Sequence, residues 1–290
     1  MCEAKKMPYS ATKLSATRFL VLAPHPDDEI FGCGGALATL CDAKARGAIQ
    51  ICTDGSLGGI AKDVKTLVEL RRLESQRALS ALGAERMATL AFWDFADRSL
   101  SAEPRLAEAI RSAIFSFQPE LVFAPSLMEV HPDHFAVAIA AYECWQTAPE
   151  AQSFELLMYE IGRPIEANCL VDISTVFERK RKAMQCFESQ LAERDYIDVI
   201  EGLNRYRSYT LGREVTAAEA YFRLPKPSLA PTTRSVGTFS QLTGLLPVSM
   251  RHVLQDLDAG IVTSATRRSI NTTTEQINTP KTDLRVSANP

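Results

Sequence analysis

No apolar run in the sequence approaches the roughly 20 residues that a membrane span requires. Its opening stretch, MCEAKKMPYSATKLSATRF, lacks the apolar segment of a secretory signal. No C-x-x-C pair occurs among the seven cysteines (Cys2, Cys33, Cys41, Cys52, Cys144, Cys169 and Cys186), which are odd in number and scattered. That spacing excludes a disulfide framework and a cysteine-rich zinc site. Cys52 and Cys169 sit in apolar stretches, where a thiol acts as a small core hydrophobe, and a reducing cytoplasm is expected. There is no excess of basic charge: the formal net charge is -3, which argues against a nucleic-acid partner. Hydrophobic content of 46% and charged content of 23% are those of a globular chain. At 290 residues one large domain plus an appendage is expected.

Between residues 17 and 224, short apolar or β-branched runs alternate with longer helical periodicity. Strands are predicted over 18–23 (RFLVLA), 48–53, 88–93, 121–124, 154–161 and 169–173. Helices are predicted over 28–46, 64–82, 103–117 and 134–145, with another to about 191 that Ser174 would N-cap. Strand–helix–strand repetition of this kind predicts a mostly parallel sheet with helices on both faces. Residues 1–16 read as an N-terminal extension. Pro225, Pro227 and Pro231 open a Pro/Ser/Thr-rich tail over 225–290. Within it 241–257 could form a helix, and 264–290, polar and free of aromatics, reads as disordered.

Histidine is scarce, and its placement carries the chemistry. Three of the four histidines lie in two motifs: Pro24-His25-Pro26-Asp27-Asp28-Glu29 after the first strand, and His131-Pro132-Asp133-His134 after the fourth. Loops that follow parallel strands gather at the carboxyl edge of the sheet, where ligands bind. Two imidazoles and one carboxylate suit zinc, admit iron(II), and leave a coordination position open. Zinc lowers the pKa of its water to about 7, so a neighbouring carboxylate can take the proton. Either motif alone is more often an ordinary helix start. Together, holding nearly all the histidine, they favour a metal site.

At these residues the chain resembles the PIG-L/LmbE family of zinc-dependent N-acetylglucosaminyl deacetylases. Both blocks match completely, and weaker likeness runs through Thr53-Asp54-Gly55, Arg71 with Glu74, Val171-Asp172-Ile173-Ser174 and Glu188-Ser189-Gln190. It spans about residues 17 to 224. The resemblance implies a Rossmann-like three-layer α/β fold and a hydrolase that removes an N-acetyl group from an amino sugar through zinc-bound water. It implies His25, Asp28 and His134 as metal ligands, Asp27 as general base, and His131 as general acid or oxyanion stabiliser. Arg71 and Asp97 would contact the sugar, with Asp94 a near neighbour of the latter in sequence. The implied partner is a small amino-sugar molecule, with no nucleic acid and no membrane span; homo-oligomerisation stays open.

Blander readings stand beside these. Arg71 could belong to a solvated helix face, paired at i,i+3 with Glu74. Gly32-Cys33-Gly34-Gly35 has the wrong spacing for a dinucleotide fingerprint and is expected inside a helix, packed closely on the sheet. The loop over 54–59 is glycine-rich and could cover substrate or be a plain turn. His252 is expected at the surface of the tail. Two other functions remain: the same zinc chemistry on another amide or a sugar–thiol conjugate, or a noncatalytic sugar- or nucleotide-binding module.

Overall fold

Apolar runs that are buried on both faces form parallel strands, and β1 (Arg18–Ala23) is the clearest case, with every position after the first buried. The structure, a computed structural model, describes residues 10–59, 63–226 and 248–258. After β1 come α1 (Asp28–Phe31), α2 (Gly34–Asp42), β2 (Arg46–Thr53), α3 (Val64–Ala81), β3 (Ala88–Phe95), α4 (Leu106–Phe117), β4 (Leu121–Pro125) and α5 (Pro132–Thr147). Then follow β5 (Glu155–Tyr159), β6 (Cys169–Asp172), α6 (Phe177–Met184), α7 (Glu188–Leu191), α8 (Tyr196–Arg207) and β7 (Ala218–Leu224). The chain divides into two units, Met1–Thr233 and Arg234–Pro290.

The first unit is an α/β layer around a seven-stranded sheet in the order β3-β2-β1-β4-β5-β7-β6. β7 alone runs opposite to the other six strands. Alternate residues of a strand face opposite ways. Phe19, Val21 and Ala23 therefore join one core with Leu37 of α2, Leu79 of α3 and Ala183 of α6. Leu20 and Leu22 are buried on the other side, where α4 and α5 pack against β1 and α5 also meets β4. No helix among the described residues is long and apolar enough to cross a membrane.

Three departures from the sequence reading have physical causes. The helix expected over 28–46 breaks at Gly32-Cys33, and Gly34 opens a new helix rather than lying inside one. A Cβ on Gly32 would stand 2.5 Å from the Tyr159 ring, and one on Gly35 would stand 2.5 Å from Ile173. The close packing expected of these glycines is therefore present. The anion held at this helix N-terminus is the protein's own Glu219, which accepts from the backbone N–H groups of Gly35 (2.7 Å) and Ala36 (2.8 Å). Ser174 caps no helix. Its hydroxyl donates to Asp172 and accepts from the Thr216 N–H, and α6 starts at Phe177.

The third departure is that β7 and α8 were not anticipated. β7 reads AEAYFRL, with a glutamate and an arginine interrupting its apolar positions. Glu219 is nonetheless buried, with Lys180 Nζ 2.7 Å and the Tyr221 hydroxyl 2.6 Å away. Lys180 is fully buried too, and also donates to the Phe31 carbonyl and to Asn204 Oδ1 of α8.

The second unit contributes α9 (Val248–Asp258), on which His252 is exposed as expected. The remaining readings for the tail, helical over 241–247 and disordered over 264–290, lie outside the described residues.

Candidate metal centre and active site

The winding of the sheet reverses between β1 and β4, which are hydrogen-bonded neighbours with β2 and β3 to one side and β5 to the other. The segment from the end of β1 into α1 carries His25 to Glu29, and the segment from the end of β4 into α5 carries Glu129 to His134, so the two histidine motifs meet at the carboxyl edge. Three donor atoms converge there. His25 Nδ1 lies 3.2 Å from His134 Nε2 and 3.3 Å from Asp28 Oδ2, and His134 Nε2 lies 3.2 Å from the same carboxylate oxygen. Ligand atoms of a tetrahedral zinc with bonds of about 2.0–2.1 Å stand about 3.3 Å apart. All three residues are buried. Two ring nitrogens facing each other need a cation or a proton between them, and this donor set fits a divalent metal.

The surrounding hydrogen bonds favour the same arrangement. His25 Nε2 lies 3.2 Å from Asp133 Oδ2 and 3.3 Å from Asp97 Oδ1, so its N–H points away from the donor triangle and the Nδ1 lone pair faces in. Asp133 also accepts from the backbone N–H groups of Arg98 (2.6 Å) and Leu100 (2.9 Å), which leaves its carboxylate fully engaged. A second set of candidate ligands, His25, Asp97, His131 and Asp133, shares this corner. Asp133 of that set already accepts two backbone N–H groups and the His25 ring N–H, whereas Asp28 accepts a single backbone N–H, from His25 (2.8 Å), so the triangle with Asp28 is the better seat.

Electrostatics follow the geometry. Burial would lower the His25 and His134 pKa values, but the carboxylates around them raise His25 well above its usual value and His134 to about 9. Against the same burial penalty, His134 and His25 hold Asp28 well below the usual carboxylate range. A potential that draws protons onto imidazoles also draws a dication.

Glu129 went unread in the sequence. Its Oε2 lies 3.4 Å from His134 Nδ1, and its Oε1 accepts from the N–H groups of Ile161 (2.9 Å) and Gly162 (3.2 Å). The backbone thus anchors a carboxylate behind the imidazole. Its sequence cue is slight: an acid two residues before the second motif. Glu129→Gln is expected to weaken zinc affinity about 10–100-fold, measured by competition with a chelator. An unchanged affinity would mean that Glu129 only braces the loop.

Asp27 does not join the donor triangle. Its carboxylate accepts from Arg71 Nη2 at 3.0 Å, its N–H donates to Glu29 Oε2 at 2.9 Å, and its φ of 151° with ψ of -33° is strained for a non-glycine residue. Burial and the charge of Asp28 push its carboxyl up to about 7 against the opposing pull of Arg71. His131, the N-cap of α5, accepts the Asp133 N–H on Nδ1 (3.2 Å). Burial, then the charges of His25 and His134, lower it to about 4. It is therefore a neutral imidazole with Nε2–H as its donor.

Arg71 is neither solvated nor paired with Glu74. It is buried, and donates to Asp27 and to the carbonyls of Pro26 (3.0 Å) and Gly55 (2.9 Å). Glu74 instead accepts the N–H and hydroxyl of Ser189, which fixes α7 beside the site. Asp97 is buried, with Oδ2 accepting from the Leu57 N–H at 3.0 Å. Asp94 points elsewhere and pairs with Arg72. All seven residues singled out in the sequence line one cavity of about 300 Å³, together with Leu57, Arg98, Glu129 and Tyr196.

Residues 20–145 match the PIG-L family, described as GlcNAc-PI de-N-acetylase. The diacetylchitobiose deacetylase of Thermococcus kodakarensis is 31% identical over 192 residues, 61% of this chain and 71% of that protein. The fold resembles N,N'-diacetylchitobiose deacetylase from Pyrococcus horikoshii, with a TM-score of 0.63 at 22% identity over 73% of this chain and 85% of that one. It also resembles GalB, the 4-carboxy-2-hydroxymuconate hydratase of Pseudomonas putida KT2440, with a TM-score of 0.62 at 21% identity over 75% and 99%. One scaffold thus serves more than one reaction, and function must be argued from the site. By its paired histidine motifs, its mostly parallel sheet and these likenesses, the chain belongs to the PIG-L/LmbE family.

Proposed function

We propose that the protein is a metal-dependent N-deacetylase that releases acetate from an N-acetylglucosamine-type amino sugar or conjugate. The observation that carries this is the triangle of His25 Nδ1, Asp28 Oδ2 and His134 Nε2, with separations of 3.2 to 3.3 Å, in a cavity also lined by Asp27 and His131. Those three residues would hold zinc, and the same donors suit iron(II). Zinc bound there supplies Lewis acidity for the amide carbonyl and makes water a nucleophile near neutrality.

The chain's own groups do the proton work. Asp27, outside the triangle but beside it, takes the proton from the attacking water and later returns it to the departing nitrogen. Water oxygen bonds to the acetyl carbon, the carbon–nitrogen bond breaks, and acetate and a free amine leave. His131 Nε2–H donates to the oxygen on which negative charge develops. Arg71 and Glu29 hold Asp27 in its strained geometry, so Arg71 acts by positioning the base rather than clamping the sugar. Asp97, with one oxygen on Leu57 N–H and the other near His25, is placed to accept from a sugar hydroxyl.

Purified protein reconstituted with zinc is expected to hold about one ion per chain, and His134→Ala to lose it, as measured by elemental analysis. Acetate release should then appear on a panel of free, nucleotide-linked and lipid-linked N-acetylglucosamine. Zinc far below stoichiometry would favour a noncatalytic binding module. A zinc-loaded protein silent on the whole panel would point to another amide or a sugar–thiol conjugate.

A further inference from the structure

Two arginines line the cavity, Arg71 and Arg98. Arg71 is committed to Asp27 and two backbone carbonyls. Arg98 is exposed, and among the described residues its guanidinium makes no hydrogen bond or ion pair; only its backbone N–H is engaged, on Asp133.

The backbone at Arg98 has φ of 60°, a conformation that glycine adopts without strain and other residues avoid. Lys44, Asp94 and Gln118 share that region: Lys44 and Gln118 close α2 and α4, where a left-handed residue is ordinary, and Asp94 is an aspartate, a residue type that tolerates it. Arg98 closes no helix. Nothing in the turn calls for a long cationic side chain, yet one sits at the cavity in place of the residue that the backbone prefers.

The neighbouring acids do not claim it. Asp97 is held by the Leu57 N–H and His25, Asp133 by three N–H groups, and Glu193 accepts from the Gly59 N–H. Leu57 and Val130, which line the same cavity, present exposed apolar surface. An unengaged guanidinium at the mouth of a site is a planar fork shaped for carboxylate or phosphate oxygens.

We propose that Arg98 recognises an anionic group, carboxylate or phosphate, carried on the amino sugar, so that the enzyme prefers acidic conjugates to neutral saccharides. This deepens the deacetylase reading and rests on it for the identity of the sugar.

The test uses zinc-loaded wild type, Arg98→Gly and Arg98→Lys. Glycine relieves the backbone strain and keeps the N–H to Asp133, so the glycine variant is expected to fold. Acetate release is measured on methyl N-acetylglucosaminide, N-acetylglucosamine 1-phosphate and the N-acetylglucosaminide of glycolate. Binding of methyl glucosaminide and glucosamine 1-phosphate, which have no acetyl group to lose, is followed by calorimetry.

In Arg98→Gly the ratio of kcat/KM on anionic to neutral substrates is expected to fall roughly 10- to 100-fold, chiefly through KM, with partial recovery in Arg98→Lys. A fall on the phosphate compound alone assigns a phosphate site; a fall on both assigns a general anion site. An equal fall on all three substrates, or an unchanged ratio, overturns the proposal. If wild type releases no acetate from any of them, the deacetylase reading fails and calorimetry decides Arg98 by itself. Tighter binding of the phosphate compound that disappears in Arg98→Gly upholds the anion site, and equal binding of both compounds removes it.

Discussion

Replacing Asp27 by asparagine is expected to lower kcat for acetate release by about 10²–10⁴-fold and to leave zinc bound. Asparagine has the same shape, and its carbonyl oxygen can still accept from Arg71 Nη2, which lies 3.0 Å from the native carboxylate. The Glu29 contact is made by the backbone N–H of residue 27 and survives the change. The donor triangle is built from His25, Asp28 and His134, so metal content should match wild type. What disappears is the capacity to take a proton, and the loss should fall on kcat rather than KM. The measurements are steady-state acetate release and zinc per chain on the same preparation. Wild-type turnover with full zinc would remove Asp27 from the mechanism.

The second large effect is on stability. Lys180→Met is expected to destabilise the fold by about 3–5 kcal/mol, because it leaves the Glu219 carboxylate buried without its cation. Lys180 and Glu219 are 2.7 Å apart with side-chain exposures of 0% and 1%, so solvent cannot compensate. The same lysine ties the Phe31 carbonyl and Asn204 to the pair, and Glu219 caps α2 through Gly35 and Ala36. Loss should appear as a lower denaturant midpoint with an unchanged slope. Adding Glu219→Gln to Lys180→Met removes the stranded charge, and the double variant should be less destabilised than the sum of the two single changes. A single-variant cost below about 1 kcal/mol would show that the buried pair contributes little.

Much of the fold was legible because its signals are local. The run RFLVLA is a strand at the expected bounds, and α3 and β4 fall within a residue of their expected limits. The two histidine motifs were readable for the same reason: each holds its polar residues within a few positions, next to a strand end. Partners that arrive from distant backbone were not. Glu129 and Asp133 act through N–H groups of residues 98, 100, 161 and 162, which no spacing rule connects to them. β7 was hidden by Glu219, a carboxylate that looks like a surface residue until Lys180 and the α2 N-terminus are placed against it. The absence of a side chain at Gly32 answers to a tyrosine ring more than a hundred positions away. Arg71 could be read as a surface residue or a substrate contact, and its burial against Asp27 removes the surface reading.

Asp133 grips the turn after β3 by main-chain atoms alone, through the amides of residues 98 and 100. Any amino acid except proline offers such an amide. The identity of side chain 98 is thereby uncoupled from the hydrogen bonds that steady His25, and mutation can sample the residue types that tolerate a φ of 60° there. Over evolutionary time, or in directed selection, this site could change which molecules it welcomes by altering one position while its chemistry stays in register.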